Sequence, residues 1–199
     1  MSIYKVNEVF YSLQGEGFLQ GLAMSFVRFS GCNLRCSFCD TSYAWQQGKP
    51  MTVSRIIQQL ITYPCRQVCL TGGEPFLQNL SPVVSALKKK NFWVAVETNG
   101  TIWQKISVDW LTVSPKREGE RFHPRGYDKR FRKIASEFKY VVADTSDLER
   151  VELDIPCPVI LQPVNNQPGM IKLIVDFLQK HPERRIFLRL QNQKLCGIR

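Results

Sequence analysis

Apolar and polar positions along the chain follow two patterns, short apolar runs and longer segments with one apolar face. Short apolar runs bounded by Gly, Pro or polar residues are typical of strands that are buried on both faces. Six runs predict strands, and a seventh, Arg185–Leu190, is a further candidate. The six are Ala23–Ser30, Gln67–Leu70, Phe92–Glu97, Trp110–Val113, Phe138–Val142 and Pro158–Pro163.

Segments with helical spacing of apolar residues lie between these runs and predict four helices. Thr52 is placed to cap the first helix, and Ser81, followed by Pro82, is placed to cap the second. The predicted helices are Thr52–Tyr63, Ser81–Lys90, Thr145–Leu153 and Pro168–His181.

Strands that alternate with helices predict an α/β fold with a parallel sheet and right-handed crossovers. About six strand–helix units are too few for a closed eight-stranded barrel. We therefore expect a single domain over residues 1–199. It should form either an open, partial TIM-like barrel or a doubly wound sheet.

Polar motifs lie at the ends of five predicted strands. A cysteine loop follows the first, "TGGEP" (Thr71–Pro75) the second and "SPK" (Ser114–Lys116) the fourth. "ETNG" (Glu97–Gly100) ends the third, and Gln162 lies at the end of the sixth. The carboxyl ends of parallel strands meet at one edge of a sheet, where ligands bind in such folds. The shared position predicts one active site.

The cysteine loop holds Cys32, Cys36 and Cys39 within "GCNLRCSFCDT". Zinc sites and ferredoxin clusters usually have four protein ligands. The two histidines, His123 and His181, are not obvious candidates for the fourth. Three thiolates would leave one iron of a [4Fe–4S] cluster open, which is what a catalytic metal needs. A structural zinc site is the alternative.

The formal net charge is +10, and a basic segment at about residues 116–133 carries eight Lys or Arg against three acidic residues. Such a segment is typical of a solvated loop, a nucleic-acid contact or a docking site for an acidic protein. No recognisable nucleic-acid-binding module accompanies it. The solvated loop is therefore favoured over nucleic-acid binding.

No apolar run reaches the length of a membrane span, and the N-terminal residues lack the regions of a signal peptide. Seven cysteines, an odd number, favour metal ligands or free thiols in a reducing compartment. These features predict a cytoplasmic protein with no membrane partner. Outside the loop, Cys65, Cys69, Cys157 and Cys196 are expected to pack in the core.

The cysteine spacing, with Phe38 just before the third cysteine, resembles the signature of the radical S-adenosylmethionine (SAM) superfamily. Together with "SLQGEG" (residues 12–17), Arg28, "TGGEP", "ETNG" and "SPK", it resembles the 7-carboxy-7-deazaguanine synthase family. The resemblance is densest over residues 7–116 and weaker afterwards. That family has a trimmed barrel, which favours the partial barrel over the doubly wound sheet.

The resemblance implies a carbon–nitrogen lyase of queuosine (7-deazapurine) biosynthesis. It would convert 6-carboxy-5,6,7,8-tetrahydropterin to 7-carboxy-7-deazaguanine with loss of ammonia. The implied cofactors are a [4Fe–4S] cluster, SAM and Mg²⁺, and the implied assembly is a homodimer. Because the reaction needs an electron and the chain is basic, an acidic donor such as flavodoxin is a further expected partner.

The same resemblance assigns roles to individual residues. Cys32, Cys36 and Cys39 would bind the cluster, and Thr41 would bind Mg²⁺. The expected SAM contacts are Gly73, Glu74, Ser114, Pro115, Lys116 and Gln162. The expected pterin contacts are Leu13, Gln14, Gly15, Glu16, Arg28 and Thr71, of which Glu16 and Arg28 are also the expected catalytic residues.

Several of these residues have a simpler interpretation from the sequence alone. Thr41, with Asp40, suits a helix cap, Glu74 suits a tight turn, and Gln162 suits a buried amide that bonds backbone groups. Arg28 lies within an apolar strand and needs an acidic partner. That partner is either a substrate carboxylate or an acid of the protein.

One position departs from the family pattern of Gln-x-His-Lys near the C-terminus. The chain has "QNQK" (Gln191–Lys194), with Gln193 where His is usual. Glutamine forms hydrogen bonds but cannot act as an acid or base near neutral pH. The difference predicts either a purely orienting role at this position or a different substrate or rate.

Two rival functions compete with the synthase. A glycyl-radical-enzyme activase would share the cysteine loop and "GGEP" but would not explain "SLQGEG" or Arg28. A basic, zinc-stabilised nucleic-acid-binding protein would contain zinc in place of iron.

Overall fold

The computed structural model describes residues 2–46, 48–116, 126–182 and 184–198. Within these residues one sheet of nine strands has the order β3-β1-β2-β4-β5-β6-β7-β8-β9. Half of the predicted basic segment, residues 117–125, lies outside the described residues. The strands are β1 Ile3–Leu13, β2 Ala23–Phe29, β3 Lys49–Thr52, β4 Gln67–Gly72, β5 Trp93–Thr98, β6 Trp110–Val113, β7 Glu137–Val142, β8 Val159–Pro163 and β9 Ile186–Leu188.

Strand β2 and strands β4 to β9 run parallel to one another. Strand β1 is antiparallel to both of its neighbours, β2 and β3. The predicted α/β class and parallel sheet are confirmed, with β9 as a seventh parallel strand. The sequence analysis missed β1 and β3. The register of β1 shifts between Val6 and Glu8, which breaks its apolar pattern. Pro50 in the short strand β3 argues against a strand by composition, although edge strands tolerate proline.

The described helices are α1 Val53–Leu60, α2 Ser81–Lys89, α3 Thr145–Glu149, α4 Pro168–Gln179 and α5 Asn192–Cys196. Thr52 caps α1 as predicted, because its hydroxyl accepts a hydrogen bond from the Arg55 amide (3.2 Å). Ser81 is not a cap: the N-cap position is Leu80, without a side-chain bond. Helices α1, α3 and α4 end earlier than predicted, and α5 was not predicted.

Alternate residues of the parallel strands face two different environments. Val27 and Leu70 belong to the main core, which also contains Ile56 of α1 and Leu87 of α2. The opposite face carries a smaller cluster formed by Phe10, Met24, Phe26, Cys69 and Ala95. The same inner face carries polar residues nearer the carboxyl ends of the strands. The outer face of the sheet therefore packs against the helices in the main core. The inner face is apolar in its lower part and polar near the carboxyl ends of the strands.

The segment after β1 joins the two sides of the curved sheet. The Asn192 amide donates to the Gly15 carbonyl (2.9 Å), and the Gln20 side chain donates to the Leu190 carbonyl. Phe18 stacks on Trp110 with ring centroids 5.7 Å apart. These contacts bring β1 near the chain that follows β9, as in a partial barrel.

The cysteines outside the loop differ in burial. Cys69 is fully buried, as predicted, and Cys65 and Cys157 are partly buried. Cys196 is exposed at the end of α5, so its predicted core position is wrong. None of the helices in the described part of the chain has the length and apolar character needed to cross a bilayer.

Candidate active site

A cavity of about 430 Å³ lies at the carboxyl ends of the parallel strands. Its volume is in the usual range for small-molecule sites, roughly 300–1,000 Å³. Every predicted site residue except Glu74 and Pro115 lines this cavity. The structure therefore brings together residues that the chain distributes from Leu13 to Gln162.

The three cysteines of the loop form part of the cavity wall as free thiols. The Leu34 amide donates to the Cys32 sulfur (3.4 Å), and the Cys39 amide donates to the Cys36 carbonyl (3.1 Å). Burial raises the pKa of the Cys32 thiol. Metal ligation requires the thiolate, so an iron bound here must displace that proton.

The chemistry of these side chains can be compared with two kinds of metal group. Among the residues that the structure describes, no three His, Cys, Asp or Glu side chains are placed to hold one metal ion. Zinc usually takes four protein ligands around one atom. Iron–sulfur clusters are held by Cys thiolates. The three free cysteines on one cavity wall fit that group.

The glycine segment, Thr71–Pro75, packs directly on the start of the cysteine loop. The Gly73 amide donates to the Phe29 carbonyl (3.1 Å), and the Glu74 amide donates to the Gly31 carbonyl (2.8 Å). A methyl group at position 73 would overlap the Gly31 carbonyl. Glycine is therefore required here for the packing of two backbones, and this packing places Gly73 at the cavity wall.

Glu74 is completely buried, and its carboxylate is occupied by donors of the chain. It accepts hydrogen bonds from the Phe76 amide (2.9 Å), the Thr98 hydroxyl (2.7 Å) and the Asn99 amide (2.7 Å). Burial raises the pKa of Glu74 to about 7. The side chain does not line the cavity, and its bonds fit the turn interpretation, while the contact with SAM stays a prediction.

The "SPK" motif places a hydroxyl and an ammonium group at the cavity. Lys116 Nζ donates to Ser114 Oγ (2.7 Å) and lies 5.9 Å from the centre of the Phe38 ring. Burial lowers the pKa of Lys116. Pro115 is buried but does not line the cavity, so it is not supported as a direct contact.

Gln162 lines the cavity at the end of β8 and is 1% exposed. Its Oε1 atom has no hydrogen-bond partner within the described residues. An unsatisfied buried acceptor costs about 1–3 kcal/mol, which a ligand donor would remove. This observation favours a ligand contact over a glutamine that is satisfied by backbone groups.

The loop after β1 places Gln14 and Glu16 beneath the cavity. Gln14 Nε2 donates to Glu97 Oε1 (2.9 Å), and the Gln14 side-chain oxygen accepts from the Glu16 amide (3.1 Å). Glu97 also accepts a long hydrogen bond from the Thr71 hydroxyl (3.5 Å). The sequence analysis named the motif that contains Glu97 but gave this residue no role, although its carboxylate lines the cavity.

Lys139, which the sequence analysis missed, lies between two of these carboxylates. Its Nζ is 2.7 Å from Glu16 Oε2 and 3.7 Å from Glu97 Oε2. Burial opposes the charge of Lys139, but the two carboxylates raise its pKa above the ordinary value. Burial alone would raise the pKa of Glu16, but Lys139 and the Gln191 amide lower it well below its usual range. A charged residue within the apolar run "FKYVV" was the available signal, as it was for Arg28.

Arg28 is paired within the protein and also lines the cavity. Its Nε donates to Glu8 Oε1 (2.8 Å), and its guanidinium lies 5.5 Å from the Phe10 ring and 5.8 Å from the Tyr43 ring. Tyr43 also donates to Glu8 Oε1 (2.9 Å). The sequence predicted two possible partners for Arg28, and the internal acid is Glu8. Glu8 bonds Arg28 through Nε, so the Nη groups of the guanidinium can bind a ligand.

Thr41 occupies the N-cap position of a short 3-10 helix, Ser42–Trp45, but its hydroxyl makes no capping bond. That hydroxyl lies 3.7 Å from the Cys39 sulfur and lines the cavity. Thr41 is therefore at the cap position that the sequence predicted, but its side chain does not cap the helix.

Gln193 reaches Glu16 from the C-terminal segment. Its Nε2 donates to Glu16 Oε1 (2.7 Å), to which Gln191 Nε2 also donates (2.8 Å). The Oε1 atom of Gln193 is buried and has no partner in the described part of the chain. A Cβ atom at Gly15 would overlap the amide end of this side chain, which would then have to move. Gln193 therefore orients Glu16 with one end and presents an acceptor with the other.

Comparisons with known proteins agree with this geometry. Residues 26–140 match the family model of the radical SAM superfamily. The parallel sheet, the cysteine loop and the cavity at the strand ends are thus those of a radical SAM protein, a class that binds a [4Fe–4S] cluster and SAM.

The 7-carboxy-7-deazaguanine synthase of Bacteroides thetaiotaomicron is 42% identical to the chain, over 98% of both proteins. The synthase of Synechocystis is 30% identical, over 98% of this chain and 94% of its own length. A crystal structure of QueE from Escherichia coli superposes with a TM-score of 0.81 at 26% identity, covering 96% of this chain and 94% of that one. The chain belongs to the 7-carboxy-7-deazaguanine synthase family.

Proposed function

We propose that this protein converts 6-carboxy-5,6,7,8-tetrahydropterin to 7-carboxy-7-deazaguanine and releases ammonia. The observation that carries the proposal is the shared cavity: Gln14, Glu16 and Arg28 line it together with the three cysteines of the loop. The similarity to the synthases over nearly the whole chain supports the same substrate.

The proposed cluster ligands are Cys32, Cys36 and Cys39. A reduced cluster held by these residues would supply the electron for reductive cleavage of SAM, which in this superfamily starts hydrogen abstraction from the substrate. Gly73 offers its backbone to SAM, and Gln162 Oε1 is an acceptor suited to the adenine amino group. Ser114 and Lys116 offer a hydroxyl for the ribose and a cation for the SAM carboxylate.

The proposed pterin site is the part of the cavity formed by Leu13, Gln14, Gly15, Glu16, Arg28 and Thr71. Arg28 is positioned by Glu8 and offers its Nη groups to the pterin carboxylate. The lowered pKa of Glu16 keeps it ionised, so it accepts hydrogen bonds from pterin N–H groups and does not donate a proton. Its proposed catalytic part is therefore to orient the substrate.

The proposed Mg²⁺ ligand is the hydroxyl of Thr41. This hydroxyl lines the cavity and makes no capping bond, so it can contribute one oxygen. Mg²⁺ usually keeps several waters and takes few protein ligands, and substrate oxygens would complete the coordination.

An anaerobic assay tests the proposed reaction. The reconstituted, reduced protein is mixed with SAM, the carboxypterin and Mg²⁺, and products are followed by mass spectrometry. We expect 7-carboxy-7-deazaguanine together with 5′-deoxyadenosine. Slow formation of 5′-deoxyadenosine without any deazaguanine would contradict the proposed synthase activity and favour the glycyl-radical-enzyme activase.

Metal analysis tests the zinc rival separately. A brown protein with about four irons per chain is expected after anaerobic purification. A colourless protein with stoichiometric zinc would contradict the cluster and every role assigned to SAM.

We also propose a homodimer as the assembly, an acidic flavodoxin-like protein as the electron donor and the cytoplasm as the place of reaction. The donor is supported by the net charge of +10, which attracts an acidic partner. The cytoplasm is supported by seven free cysteines, which persist in a reducing compartment. Sedimentation of the purified protein tests the dimer, and a single monomeric species would contradict it.

A further inference from the structure

We propose that Glu74, Asn99 and Asn33 form a hydrogen-bonded tie that fixes the cysteine loop relative to the glycine segment. In this tie Glu74 and Asn33 are positioning residues that do not themselves touch SAM. The proposal rests on the proposed function only in taking the cysteine loop as the cluster site.

The first part of the tie is the carboxylate of Glu74. Three donors converge on it, and two of them, the Thr98 hydroxyl and the Asn99 amide, belong to the end of β5. The third, the Phe76 amide, belongs to the turn after the glycine segment. A carboxylate bonded in this way joins two strand ends and has little capacity left for a further ligand.

The second part of the tie runs from Asn99 to the cysteine loop. Asn99 Nδ2 donates to Asn33 Oδ1 (3.1 Å), and Asn33 Nδ2 donates to the Thr101 hydroxyl (2.8 Å). The Asn99 side-chain oxygen accepts from the Thr101 amide (2.9 Å). Both ends of the Asn33 amide are thus used within the protein, and Asn33 does not line the cavity.

The tie acts on the cysteine loop because of the position of Asn33 in the chain. Asn33 directly follows Cys32, the first proposed cluster ligand. The backbone before this cysteine is held by the bond from the Glu74 amide to the Gly31 carbonyl (2.8 Å). Glu74 therefore holds the loop on one side of Cys32 through its backbone and on the other side through Asn99 and Asn33.

Such a tie sets where the open iron of a cluster lies relative to the groups that bind SAM. Loss of one hydrogen bond should leave the three cysteines present but allow the loop to move. Misplacement of a bound group affects binding and reaction more strongly than the lost bond would suggest. The predicted defect is thus in SAM binding, with the cluster itself retained.

The test compares Asn33→Ala with the control Asn79→Ala. Asn79 is a control of the same residue type: its side-chain oxygen accepts one hydrogen bond, from the Ser81 backbone amide (3.1 Å), and lies outside the tie. For Asn33→Ala we expect unchanged iron content and an altered electron paramagnetic resonance spectrum of the reduced cluster without SAM. We also expect the KM for SAM to rise at least about tenfold, because misplacement of the loop adds to the loss of the Asn33 hydrogen bonds, and the KM for the pterin to change less than about twofold. Asn79→Ala should match the wild type in all four measurements.

Glu74→Gln separates positioning from direct contact. An amide at this position offers a donor to groups that are themselves donors, so the spectrum without SAM should change in the same direction as for Asn33→Ala. Its effect should be less than additive with Asn33→Ala, because both act through one network. A large loss of SAM affinity with a wild-type spectrum in the absence of SAM would overturn the proposal and assign Glu74 to SAM.

Two further results keep the proposal testable. If Asn33→Ala does not fold, Thr101→Val removes the acceptor of Asn33 Nδ2 and should show the same spectral change in a weaker form. A wild-type spectrum and KM in the soluble variant would overturn the tie. Failure of the proposed function would look different, since the wild type would then make no deazaguanine while the spectra of the variants still differed.

Discussion

Glu16 shows how the fold sets the state of a single carboxylate. Lys139, Gln191 and Gln193 all donate to it. Burial alone would raise its pKa, but Lys139 and Gln191 keep that pKa well below the ordinary value of 4.5. A carboxylate with a lowered pKa stabilises the fold fully above its ordinary pKa. This contribution is lost as the pH falls towards the lowered value. Near neutral pH Glu16 therefore stays a constant acceptor.

Replacing Lys139 with Met should destabilise the protein by about 3–5 kcal/mol, because it leaves buried carboxylates without their cation. It should also raise the pKa of Glu16 and weaken binding of the pterin. Chemical denaturation and the KM for the pterin measure the two effects. The control is Lys129→Met, which removes an exposed partner of Glu152 and should cost less than about 1 kcal/mol. Equal stability losses in the two variants would contradict the role of Lys139.

The pH dependence of the same variant provides a second measurement. In the wild type Glu16 should add no inflection to the pterin KM between about pH 5 and pH 8. In Lys139→Met an inflection should enter the acidic end of this range, because the carboxylate then titrates closer to or above its ordinary pKa. Superimposable profiles would show that Lys139 does not control Glu16.

Gln193→His should introduce a titratable group next to Glu16. An imidazole has an ordinary pKa near 6.5, and a neighbouring carboxylate favours its charged form. The profile of kcat/KM against pH should therefore gain an inflection at or above about pH 6.5 that the wild type lacks at this position. An unchanged profile would indicate that Gln193 does not contact the reacting groups or the groups that hold them.

At the scale of elements, the site depends on how closely two loops approach each other. The glycine segment after β4 and the cysteine loop after β2 belong to neighbouring parallel strands, and Phe29 is in register with Gly72. Backbone bonds from Gly73 and Glu74 continue this pairing beyond the strands. The two loops thus extend the sheet into the site, so the proposed cluster and SAM segments are bonded to each other through their backbones.

Gly73→Ala should disrupt this approach, because the added methyl group would overlap the Gly31 carbonyl. Overpacking of this kind costs about 1–3 kcal/mol, and the affinity for SAM should fall at least tenfold. Titration of the reduced cluster with SAM measures the change.

Gly169→Ala is the matched control for this substitution. Gly169 lies in α4, and a methyl group there would meet no atom within 4 Å. The control should be slightly more stable than the wild type, by about 0.5–1 kcal/mol, because alanine favours a helix. An equal loss of SAM affinity in both variants would contradict the packing argument.

At the scale of the whole molecule, one face of the curved sheet forms the hydrophobic core and the other forms the site. The outer face is covered by helices and carries the main core, whereas the interior carries Arg28, Glu97 and Lys139 above a small apolar cluster. The net charge of +10 adds a long-range field around the molecule. Such a field would attract the proposed acidic electron donor before the two proteins make contact.

Reduction of the cluster by flavodoxin should become slower as ionic strength rises from about 0.05 to 0.5 M, because salt screens the attraction between opposite charges. Stopped-flow absorbance of the cluster measures the rate. Reduction by a small uncharged mediator serves as the control and should not depend on salt. A flavodoxin rate that is independent of salt would contradict docking by charge.

The sequence by itself determined the fold class, the places of the parallel strands and the motifs at their carboxyl ends. Apolar runs and helical spacing are local properties, and Trp110–Val113 and Pro168 at the start of α4 lie where the pattern predicts them. The three cysteines and the glycine segment were also recognisable, because their chemistry depends on spacing within a few residues. Strand β1 was not, since its pattern is interrupted by a shift of register.

Only the tertiary structure decided which groups meet. Glu16 and Lys139 are 123 residues apart, and Glu16 and Gln193 are 177 apart, so their contacts depend on the curvature of the whole sheet. The same holds for Glu74, which the motif assigned to SAM and the fold assigned to Thr98 and Asn99. The pKa of a buried group is set by its neighbours in space. For this reason the sequence identified many residues of the site but not Lys139, and the fold determined what state each of them is in.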